Sequence, residues 1–314
     1  MKILVTGAAG FLGANLTEYL LGQGHEVLGI DNFITGSRKN IEELSGKPNF
    51  KFFEADIVTL TPVAKASFSQ VDQVYHLACP TGVPNLAPLA EEMLLACSVG
   101  TKNILDIALQ NKASFVFTSS SEIYGNPEKF PQAESYSGNV DPTGLRSPYE
   151  EGKRFSEALV AMYSRKHGLD AKIVRVFNTY GPRMSEKDTR VIPNFIRQIT
   201  KEEPLTVHGD GQQRRTFCYV DDLIAGLELV MEKGKAGEVY NLGGDEEITI
   251  AALASLVAEV FGAQSGLKQE ERPKHDHQAR MPQLSRVKAL GWSPQTTLKE
   301  GLLLTSKLHQ PAKI

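Results

Sequence analysis

The chain has 314 residues, of which 41% are apolar and 23% are charged, and its formal net charge at pH 7 is −3. This composition excludes collagen-like, disordered and low-complexity proteins, and the nearly neutral charge gives no sign of a nucleic-acid or membrane partner. No apolar run reaches the roughly 18–20 residues that cross a bilayer. Three cysteines, Cys79, Cys97 and Cys218, stand far apart along the chain. We therefore predict free thiols in a reducing compartment and a cytoplasmic location.

The first two-thirds of the chain alternate short apolar runs with amphipathic stretches. The apolar runs predict strands at Ile3–Val5, Val27–Ile30, Phe50–Glu54, Gln73–Leu77, Phe115–Thr118 and Lys172–Arg175. The amphipathic stretches predict helices at Leu12–Leu21, Val99–Gln110 and Tyr149–His167. Continuous apolar strands of this kind are typical of a parallel sheet that helices cover on both faces. We expect an α/β fold with a Rossmann-type doubly wound parallel sheet, which binds ligands at the carboxyl ends of its strands.

The alternation of predicted strands and helices changes after about residue 180. Beyond the turn-rich NTYGPRM, the sequence predicts a helix in VIPNFIRQITK, strands around an Asp-Gly turn in PLTVHGDGQQRRTFCYV, a strand in VYNLGG, a capped helix at 249–262 and a final helix. We predict two domains. Residues 1–180 form a cofactor-binding Rossmann domain, and residues 181–314 form a smaller α/β substrate-binding domain, some of whose segments return to the main sheet.

A glycine-rich segment follows the first predicted strand and opens the first predicted helix. Gly7, Gly10 and Gly13 stand three apart there, which allows a tight turn, close approach of a pyrophosphate and close packing of helix on strand. In this strand-turn-helix context the spacing predicts a dinucleotide site rather than glycines that serve packing alone. Asp31 ends the next strand, where a carboxylate bonds the adenosine ribose and repels a 2′-phosphate. This favours NAD over NADP, although Arg38 downstream would offset the repulsion.

Further residues at predicted strand ends complete the cofactor site. Asp56 is placed to meet the adenine amino group, with a helix N-cap as its alternative role. Thr118 and Ser119 are expected to flank the nicotinamide. The predicted cofactor-binding residues are Gly7, Ala9, Gly10, Phe11, Leu12, Gly13, Asp31, Asn32, Asp56, Ile57, Leu77, Ala78, Thr118, Ser119, Tyr149 and Lys153.

Tyr149 and Lys153 stand four residues apart at a predicted helix start, so that both side chains lie on one helical face. A free tyrosine has a pKa of about 10 and is a poor base at neutral pH. A neighbouring ammonium and a nicotinamide cation would both favour the phenolate, which would take a proton from an alcohol as hydride leaves. Alone, the two residues would be a surface pair. With the glycine segment and the hydroxyl-rich TSSSEIYG at 118–125, they are predicted to be catalytic.

Nearly the whole chain resembles the extended short-chain dehydrogenase/reductase superfamily of NAD-dependent epimerases and dehydratases. Residues 118–227 are most similar to the UDP-glucuronate decarboxylase (UDP-xylose synthase) family, in SSSEIYGNPEKFPQAESY, GNVDPTGLRSPYEEGKR, FNTYGPRMSEKDTRVIPNF and PLTVHGDGQQRRTFCYVDDL, and QARMPQ adds to the likeness. The resemblance implies a homodimer. It implies a reacting centre of Ser120, Ser121, Glu122, Tyr149, Lys153 and Arg280. It also implies that a nucleotide sugar is bound by Glu122, Asn178, Arg190, Val191, Arg215 and Arg280.

Glu122 distinguishes the branches of the superfamily. Dehydratase relatives have an Asp-Glu pair where this chain has Ser121-Glu122, and epimerases place a small or hydroxyl residue at Glu122. The resemblance therefore implies NAD-dependent decarboxylation of UDP-glucuronate to UDP-xylose through a 4-keto sugar. Ser120 or Ser121 is expected to bond the C4 oxygen, Glu122 to face C5, and Arg280 to pair with the substrate carboxylate. The alternatives are an epimerase or dehydratase on the same scaffold and a non-catalytic NAD-binding protein.

Several positions depart from the decarboxylase pattern. Leu86 stands in place of a tyrosine, Leu95 and Cys97 in place of a lysine and an asparagine, and Ser137 in place of a tryptophan. Another nucleotide sugar is therefore an alternative substrate. His275 and His277 stand two apart, but no carboxylate or cysteine cluster completes a metal site, so we predict no bound metal.

Overall fold

The computed structural model describes residues 1–185, 188–264, 266–271 and 279–309. Its strands are β1 (Lys2–Thr6), β2 (Glu26–Asp31), β3 (Phe50–Glu54), β4 (Gln73–His76), β5 (Ser114–Ser120), β6 (Ala171–Val176), β7 (Thr179–Tyr180), β8 (Leu205–His208), β9 (Arg214–Thr216), β10 (Cys218–Tyr219), β11 (Val239–Leu242), β12 (Glu247–Thr249), β13 (Leu267–Glu270) and β14 (Ala279–Arg280). Its helices are α1 (Phe11–Gly22), α2 (Arg38–Leu44), α3 (Pro62–Ala66), α4 (Ala90–Leu95), α5 (Thr101–Asn111), α6 (Ser147–His167), α7 (Val191–Thr200), α8 (Val220–Lys233), α9 (Ile250–Phe261), α10 (Ser285–Ala289) and α11 (Leu298–His309).

Within the described residues, the central sheet has seven parallel strands in the order β11-β6-β5-β4-β1-β2-β3. Successive side chains of β1 lie on opposite faces of the sheet, with Ile3 and Val5 in one apolar cluster and Leu4 in another. Both faces are covered, which explains why the strands are continuously apolar. The predicted Rossmann-type sheet is confirmed, and each of its first six strands lies within two residues of its predicted bounds.

One prediction about secondary structure needs correction. The helix predicted from Val99 begins nine residues earlier, at Ala90, and a single π-helical turn (Ala96–Gly100) joins α4 to α5. A π turn shifts the phase of the apolar face, so a regular 3.6-residue period does not continue through it. The strands β8 and β9 lie on either side of the Asp-Gly turn, as predicted, and β8 pairs with β13 whereas β9 pairs with β12 and β14.

The second half of the chain completes both the sheet and the cleft. Strand β11 pairs with β6 of the central sheet, while β9 and β14 lie in a separate small sheet. The carboxyl ends of the central strands open into a cleft of about 2070 Å³. Its opposite wall comes from residues within 176–185 and 188–221, together with Ile250 and Arg280. Among the described residues, no helix has the length and apolar character needed to cross a membrane.

Candidate active site

All of the predicted site residues line this one cleft. The cofactor set contributes Gly7, Ala9, Gly10, Phe11, Leu12, Gly13, Asp31, Asn32, Asp56, Ile57, Leu77, Ala78, Thr118, Ser119, Tyr149 and Lys153. The reacting-centre and substrate sets contribute Ser120, Ser121, Glu122, Asn178, Arg190, Val191, Arg215 and Arg280. The fold thus gathers groups from strand ends that are far apart in sequence.

The glycine turn connects β1 to α1 and has almost no spare room. Gly7 has a φ of +73°, which disfavours other residues, and a Cβ on Gly13 would collide with the Gly7 carbonyl oxygen. The Ala9 N–H donates to Asp31 Oδ2 over 3.0 Å, which ties the turn to the end of β2. No side chain caps α1 at Gly10. The first N–H groups of α1 therefore face the cleft, as an anionic diphosphate requires.

The predicted adenosine end is built by carboxylates that local backbone groups orient. Asp31 Oδ1 accepts the Phe33 N–H at 2.8 Å, and burial raises the pKa of Asp31 against the effect of this bond. Asp56 accepts the Val58 N–H at 2.7 Å and the Asn32 side-chain amide at 3.1 Å. Asp56 thus closes a turn and lines the cleft, but it is not a helix N-cap, because Thr61 caps the next helix, α3.

Arg38, the residue that would offset repulsion of a 2′-phosphate, is engaged by another acid. Its guanidinium donates two hydrogen bonds to Glu54, at 2.6 and 3.0 Å, and stacks 4.2 Å above the Phe33 ring. The positive charge of Arg38 is therefore shared with Glu54, while the Asp31 carboxylate faces the cleft. This arrangement favours NAD over NADP.

Tyr149 and Lys153 project from the first turns of α6 toward the end of β5. The side chains of Ser120 and Thr81 lie near the Tyr149 hydroxyl and act to lower its pKa. Lys153 Nζ donates to the Thr118 carbonyl oxygen at 2.9 Å and lies 5.9 Å from the Tyr149 ring centroid. Because Pro148 stands in the first turn of α6, where no intrahelical N–H partner exists, the helix can begin immediately before the pair.

The electrostatics of this pair only partly follow the prediction. Burial raises the pKa of Tyr149 above its usual value, and the Lys153 ammonium offsets this only in part. Burial also acts against the Lys153 ammonium, but the neighbouring Cys79 and Tyr149 more than compensate, so the pKa of Lys153 is raised. Lys153 therefore stays protonated, yet its charge alone does not make Tyr149 a phenolate. The desolvation of the phenol is the effect that the sequence did not reveal.

The hydroxyls at the end of β5 have distinct partners. Thr118 Oγ1 donates to the His76 carbonyl oxygen at 3.2 Å, and Ser120 Oγ accepts the Glu122 N–H at 3.2 Å. Ser119 is 4% exposed, and its Oγ has no hydrogen-bond partner among the described residues. A buried hydroxyl usually has a partner. The Ser119 hydroxyl, on the wall of the cleft, is therefore suited to hydrogen-bond a polar group of a bound molecule, such as the carboxamide of a nicotinamide.

Glu122 lies between two arginines. Arg280 Nη2 is 3.2 Å from Glu122 Oε1, and Arg146 Nη2 donates to Oε2. Arg146 Nε also donates to Glu150 Oε1 at 3.0 Å, and its ion pairs with both acids raise its pKa despite burial. Two acids and two bases thus form a cluster whose formal charges cancel. Arg146 was missed from the sequence, although its place one helical turn before Tyr149 was a usable signal.

Arg280 is 3% exposed and reaches the cluster from β14. Its guanidinium donates to the carbonyl oxygens of Ser121 and Gly125, the latter at 3.1 Å, as well as pairing with Glu122. In strand register Arg280 is opposite Arg215 of β9. The predicted reacting centre and the predicted substrate-binding Arg215 are therefore linked through one small sheet.

The remaining predicted substrate residues lie along the opposite wall of the cleft. Asn178 Nδ2 donates to the Thr216 carbonyl oxygen at 3.4 Å. Arg190 precedes Val191 at the start of α7, forms an ion pair with Asp188 at 2.6 Å, and lies 6.0 Å from the Phe11 ring centroid. Arg190 is thus near the glycine turn, where a diphosphate would pass.

No cluster of three or more histidine, cysteine or acidic side chains that could hold a metal ion occurs in the part of the chain that the structure describes. His275 and His277, the pair considered from the sequence, lie outside the described residues.

The strand order, the glycine turn and the Tyr149–Lys153 pair define a Rossmann-type, dinucleotide-dependent enzyme. Residues 3–243 match the NAD dependent epimerase/dehydratase family, and the chain belongs to that family. NAD is therefore the cofactor, as predicted.

The chain is 42% identical over 303 residues to UDP-glucuronic acid decarboxylase 1 of Arabidopsis thaliana, a match that spans 96% of this chain and 68% of that protein. Among solved structures it is similar to a UDP-glucuronic acid 4-epimerase mutant from Bacillus cereus, in complex with a fluorinated UDP-glucuronic acid and NAD. That match has 30% identity and a TM-score of 0.88 over 98% of both chains. It is also similar to DesIV, a dTDP-glucose 4,6-dehydratase from Streptomyces venezuelae with NAD bound, at 28% identity and a TM-score of 0.89 over 98% of this chain and 97% of the other.

Proposed function

We propose that this protein decarboxylates UDP-glucuronate to UDP-xylose and regenerates its NAD in every cycle. The observation that carries this proposal is Glu122, held between Arg146 and Arg280 at the end of the cleft that contains Tyr149 and Lys153. The curated relatives at about 40% identity, which are named UDP-glucuronic acid decarboxylases, support the same substrate and reaction.

We assign one side of the cleft to the cofactor and the other side to the nucleotide sugar. Residues 1–180 would hold NAD, with the N–H groups at the start of α1 on the diphosphate, Asp31 on the ribose and Ser119 at the nicotinamide. Residues 181–314 would cover the nucleotide sugar, with Arg190 and Arg215 on the diphosphate and nucleoside. When bound, NAD accepts a hydride from C4 of the sugar and later returns it.

Tyr149 would take the proton of the C4 hydroxyl, with Ser120 bonded to both groups. The Ser120 side chain lies near the Tyr149 hydroxyl, so one serine can place the sugar oxygen against the phenol. Because burial outweighs Lys153 in setting the pKa of Tyr149, the positive charge of the oxidised nicotinamide would supply the remaining stabilisation of the phenolate. Lys153 contributes a fixed charge that its bond to Thr118 orients.

The 4-keto sugar carries its carboxylate on C5, β to the ketone. Cleavage of the bond between C5 and the carboxyl carbon releases CO₂ and leaves the electron pair in an enolate that the C4 oxygen stabilises. C5 then takes a proton, the hydride returns to C4, and Tyr149 returns its proton to the C4 oxygen. Reactants and products balance without an external oxidant.

The Glu122 cluster suits loss of a carboxylate better than its retention. The charges of Arg146 and Arg280 are shared with Glu122 and Glu150, so the cluster offers a bound carboxylate little net positive charge. An unstabilised carboxylate gains by leaving as neutral CO₂. We propose that Arg280 keeps Glu122 directed at C5, where Glu122 repels the carboxylate or steers a proton. Direct pairing of Arg280 with the substrate carboxylate stays a prediction.

We also propose a homodimer and a cytoplasmic location. Leu94 of α4, Val99 of the π turn and Phe155 of α6 are exposed on the helices that flank the Tyr149–Lys153 pair, and a second copy of the chain would cover them. Light scattering after gel filtration measures the mass directly. The free thiols of the chain are consistent with a reducing compartment.

Incubation of the purified protein with UDP-glucuronate tests the reaction, with CO₂ release measured by trapping and the sugar identified by NMR. We expect UDP-xylose and CO₂ in equal amounts, with no net accumulation of NADH. The second candidate is 4-epimerisation, favoured by the similarity to the UDP-glucuronic acid 4-epimerase. UDP-galacturonate without CO₂ would establish the epimerase and overturn the decarboxylase. Tyr149→Phe is the negative control for either reaction.

A further inference from the structure

Two cysteines that are distant in sequence meet beside the cleft. The Sγ atoms of Cys79 and Cys97 are 3.5 Å apart, and both residues are free thiols. The sequence gave no sign of this pair, because Cys79 follows β4 whereas Cys97 lies in the π turn. The fold places that turn against α6, where a Cβ on Gly152 would lie 3.2 Å from Cys97 Sγ.

The pair is positioned to react. Cys79 lines the cleft, while Cys97 is 2% exposed and lies behind it. The hydrogen bond from Cys79 lowers the pKa of the Cys97 thiol despite burial, and the Lys153 ammonium acts in the same direction. The corresponding bond raises the pKa of Cys79. One sulfur is thus reachable from the cleft as a thiol, and its partner is the better nucleophile.

We propose that Cys79 and Cys97 form a redox modification site that a peroxide converts to a disulfide. The Cys97 thiolate takes the proton of Cys79 across their hydrogen bond, so that Cys79 attacks one oxygen of hydrogen peroxide as a thiolate. The O–O bond breaks, the leaving hydroxide takes that proton back from Cys97, and the products are Cys79 sulfenic acid, water and the Cys97 thiolate. The Cys97 thiolate then attacks the Cys79 sulfur, and the leaving hydroxide takes up a proton to become water. In total, two thiols lose two electrons and one peroxide becomes two waters. A dithiol reductant reverses the change by exchange.

Oxidation should disturb the reacting centre. The sulfurs must approach by about 1.5 Å to reach the disulfide bond length of about 2.05 Å. Cys79 follows Ala78, whose backbone N would lie 2.9 Å from a Cβ on Gly7. It precedes the segment that leads to Thr81, whose side chain lies near the Tyr149 hydroxyl. Misplacement of a reacting group by about 1 Å can cost about 100-fold in rate. We therefore expect kcat to fall at least about tenfold in the disulfide form.

The experiment treats full-length protein with hydrogen peroxide, alkylates the remaining thiols and maps the peptides by mass spectrometry. In the wild type, a peptide that links Cys79 to Cys97 should appear, one of the three thiols should remain, and dithiothreitol should restore both thiols and kcat. Cys97→Ser should give no linked peptide, because oxidation of Cys79 then stops at the sulfenic acid. Cys218→Ser is the matched control, because Cys218 is 1% exposed and outside the pair, and it should behave like the wild type.

Three free thiols in the peroxide-treated wild type would overturn the modification site. A linked peptide with unchanged kcat would overturn its effect on turnover. That effect rests on the proposed decarboxylase activity, whereas the peptide map does not depend on any substrate. If untreated protein fails to turn over UDP-glucuronate, the proposed function is contradicted. The peptide map still decides whether Cys79 and Cys97 form a disulfide.

Discussion

Glu122→Gln removes one charge from the four-residue cluster and keeps the size of the side chain. Glu122 is 22% exposed and Arg280 only 3%, and the amide oxygen of glutamine can still accept a bond from Arg280. Arg280 also keeps its bonds to the Ser121 and Gly125 carbonyl oxygens. We expect the free energy of unfolding to fall by about 1–3 kcal/mol, the cost of weakening a bond between charged groups. A domain with about 5–15 kcal/mol of stability remains folded.

The effect on catalysis should be larger than the effect on folding. A group that repels the leaving carboxylate or steers a proton to C5 typically contributes about 10²–10⁴ in rate. At about 1.4 kcal/mol for each factor of ten, this corresponds to about 3–5 kcal/mol of transition-state stabilisation. NAD affinity should stay within about threefold, because Asp31 is held by the backbone N–H groups of Ala9 and Phe33, which Glu122→Gln leaves unchanged.

The assay follows CO₂ release and product identity from UDP-glucuronate, with NAD affinity measured separately by calorimetry. Glu151→Gln is the matched control, because Glu151 lies on α6 with Tyr149, is 39% exposed and forms an ion pair with Arg154. A Glu122→Gln protein that releases CO₂ within threefold of the wild type would refute both proposed roles of Glu122. Equal losses in Glu122→Gln and Glu151→Gln would point to a general effect on the fold.

Three further predictions concern the base, the pH response and the cofactor turn. Tyr149→Phe should lower kcat by about 10²–10⁴ because it removes the proton acceptor, while NAD binding by calorimetry stays within a few-fold; a fully active variant would remove the mechanism. Burial lowers the pKa of His76 from 6.5 to about 3, so the unfolded chain binds a proton there that the native protein does not. As the pH falls below 6.5, His76 should therefore lower the free energy of unfolding by about 1.4 kcal/mol per pH unit, until the native imidazole itself is protonated. Urea unfolding at several pH values should show a shallower acid dependence in His76→Gln, and identical slopes would contradict this. Gly13→Ala should abolish NAD binding or soluble expression because its Cβ collides with Gly7, whereas Gly22→Ala, which meets nothing within 4 Å, should bind NAD normally.

The sequence alone was sufficient for the features that depend on short-range patterns. Continuous apolar runs identified the central strands, because burial on both faces leaves no polar alternation. The spacing of Gly7, Gly10 and Gly13 identified the cofactor turn, because backbone sterics act within a few residues. The four-residue interval between Tyr149 and Lys153 identified the pair, because helical geometry fixes which side chains share a face.

Only the tertiary structure decided the features that join distant segments. Glu122 contacts Arg146, 24 residues away, and Arg280 from β14. Cys79 contacts Cys97, which lies in a π turn that breaks the helical period. The desolvation that raises the pKa of Tyr149 likewise comes from groups packed around it by the whole fold. Periods of 2 and 3.6 residues specify faces of elements, but they carry no information on strand order, register or the packing of one element on another. The sequence thus determined the cofactor chemistry, and the packing determined the charge balance around Glu122, on which the proposed reaction depends.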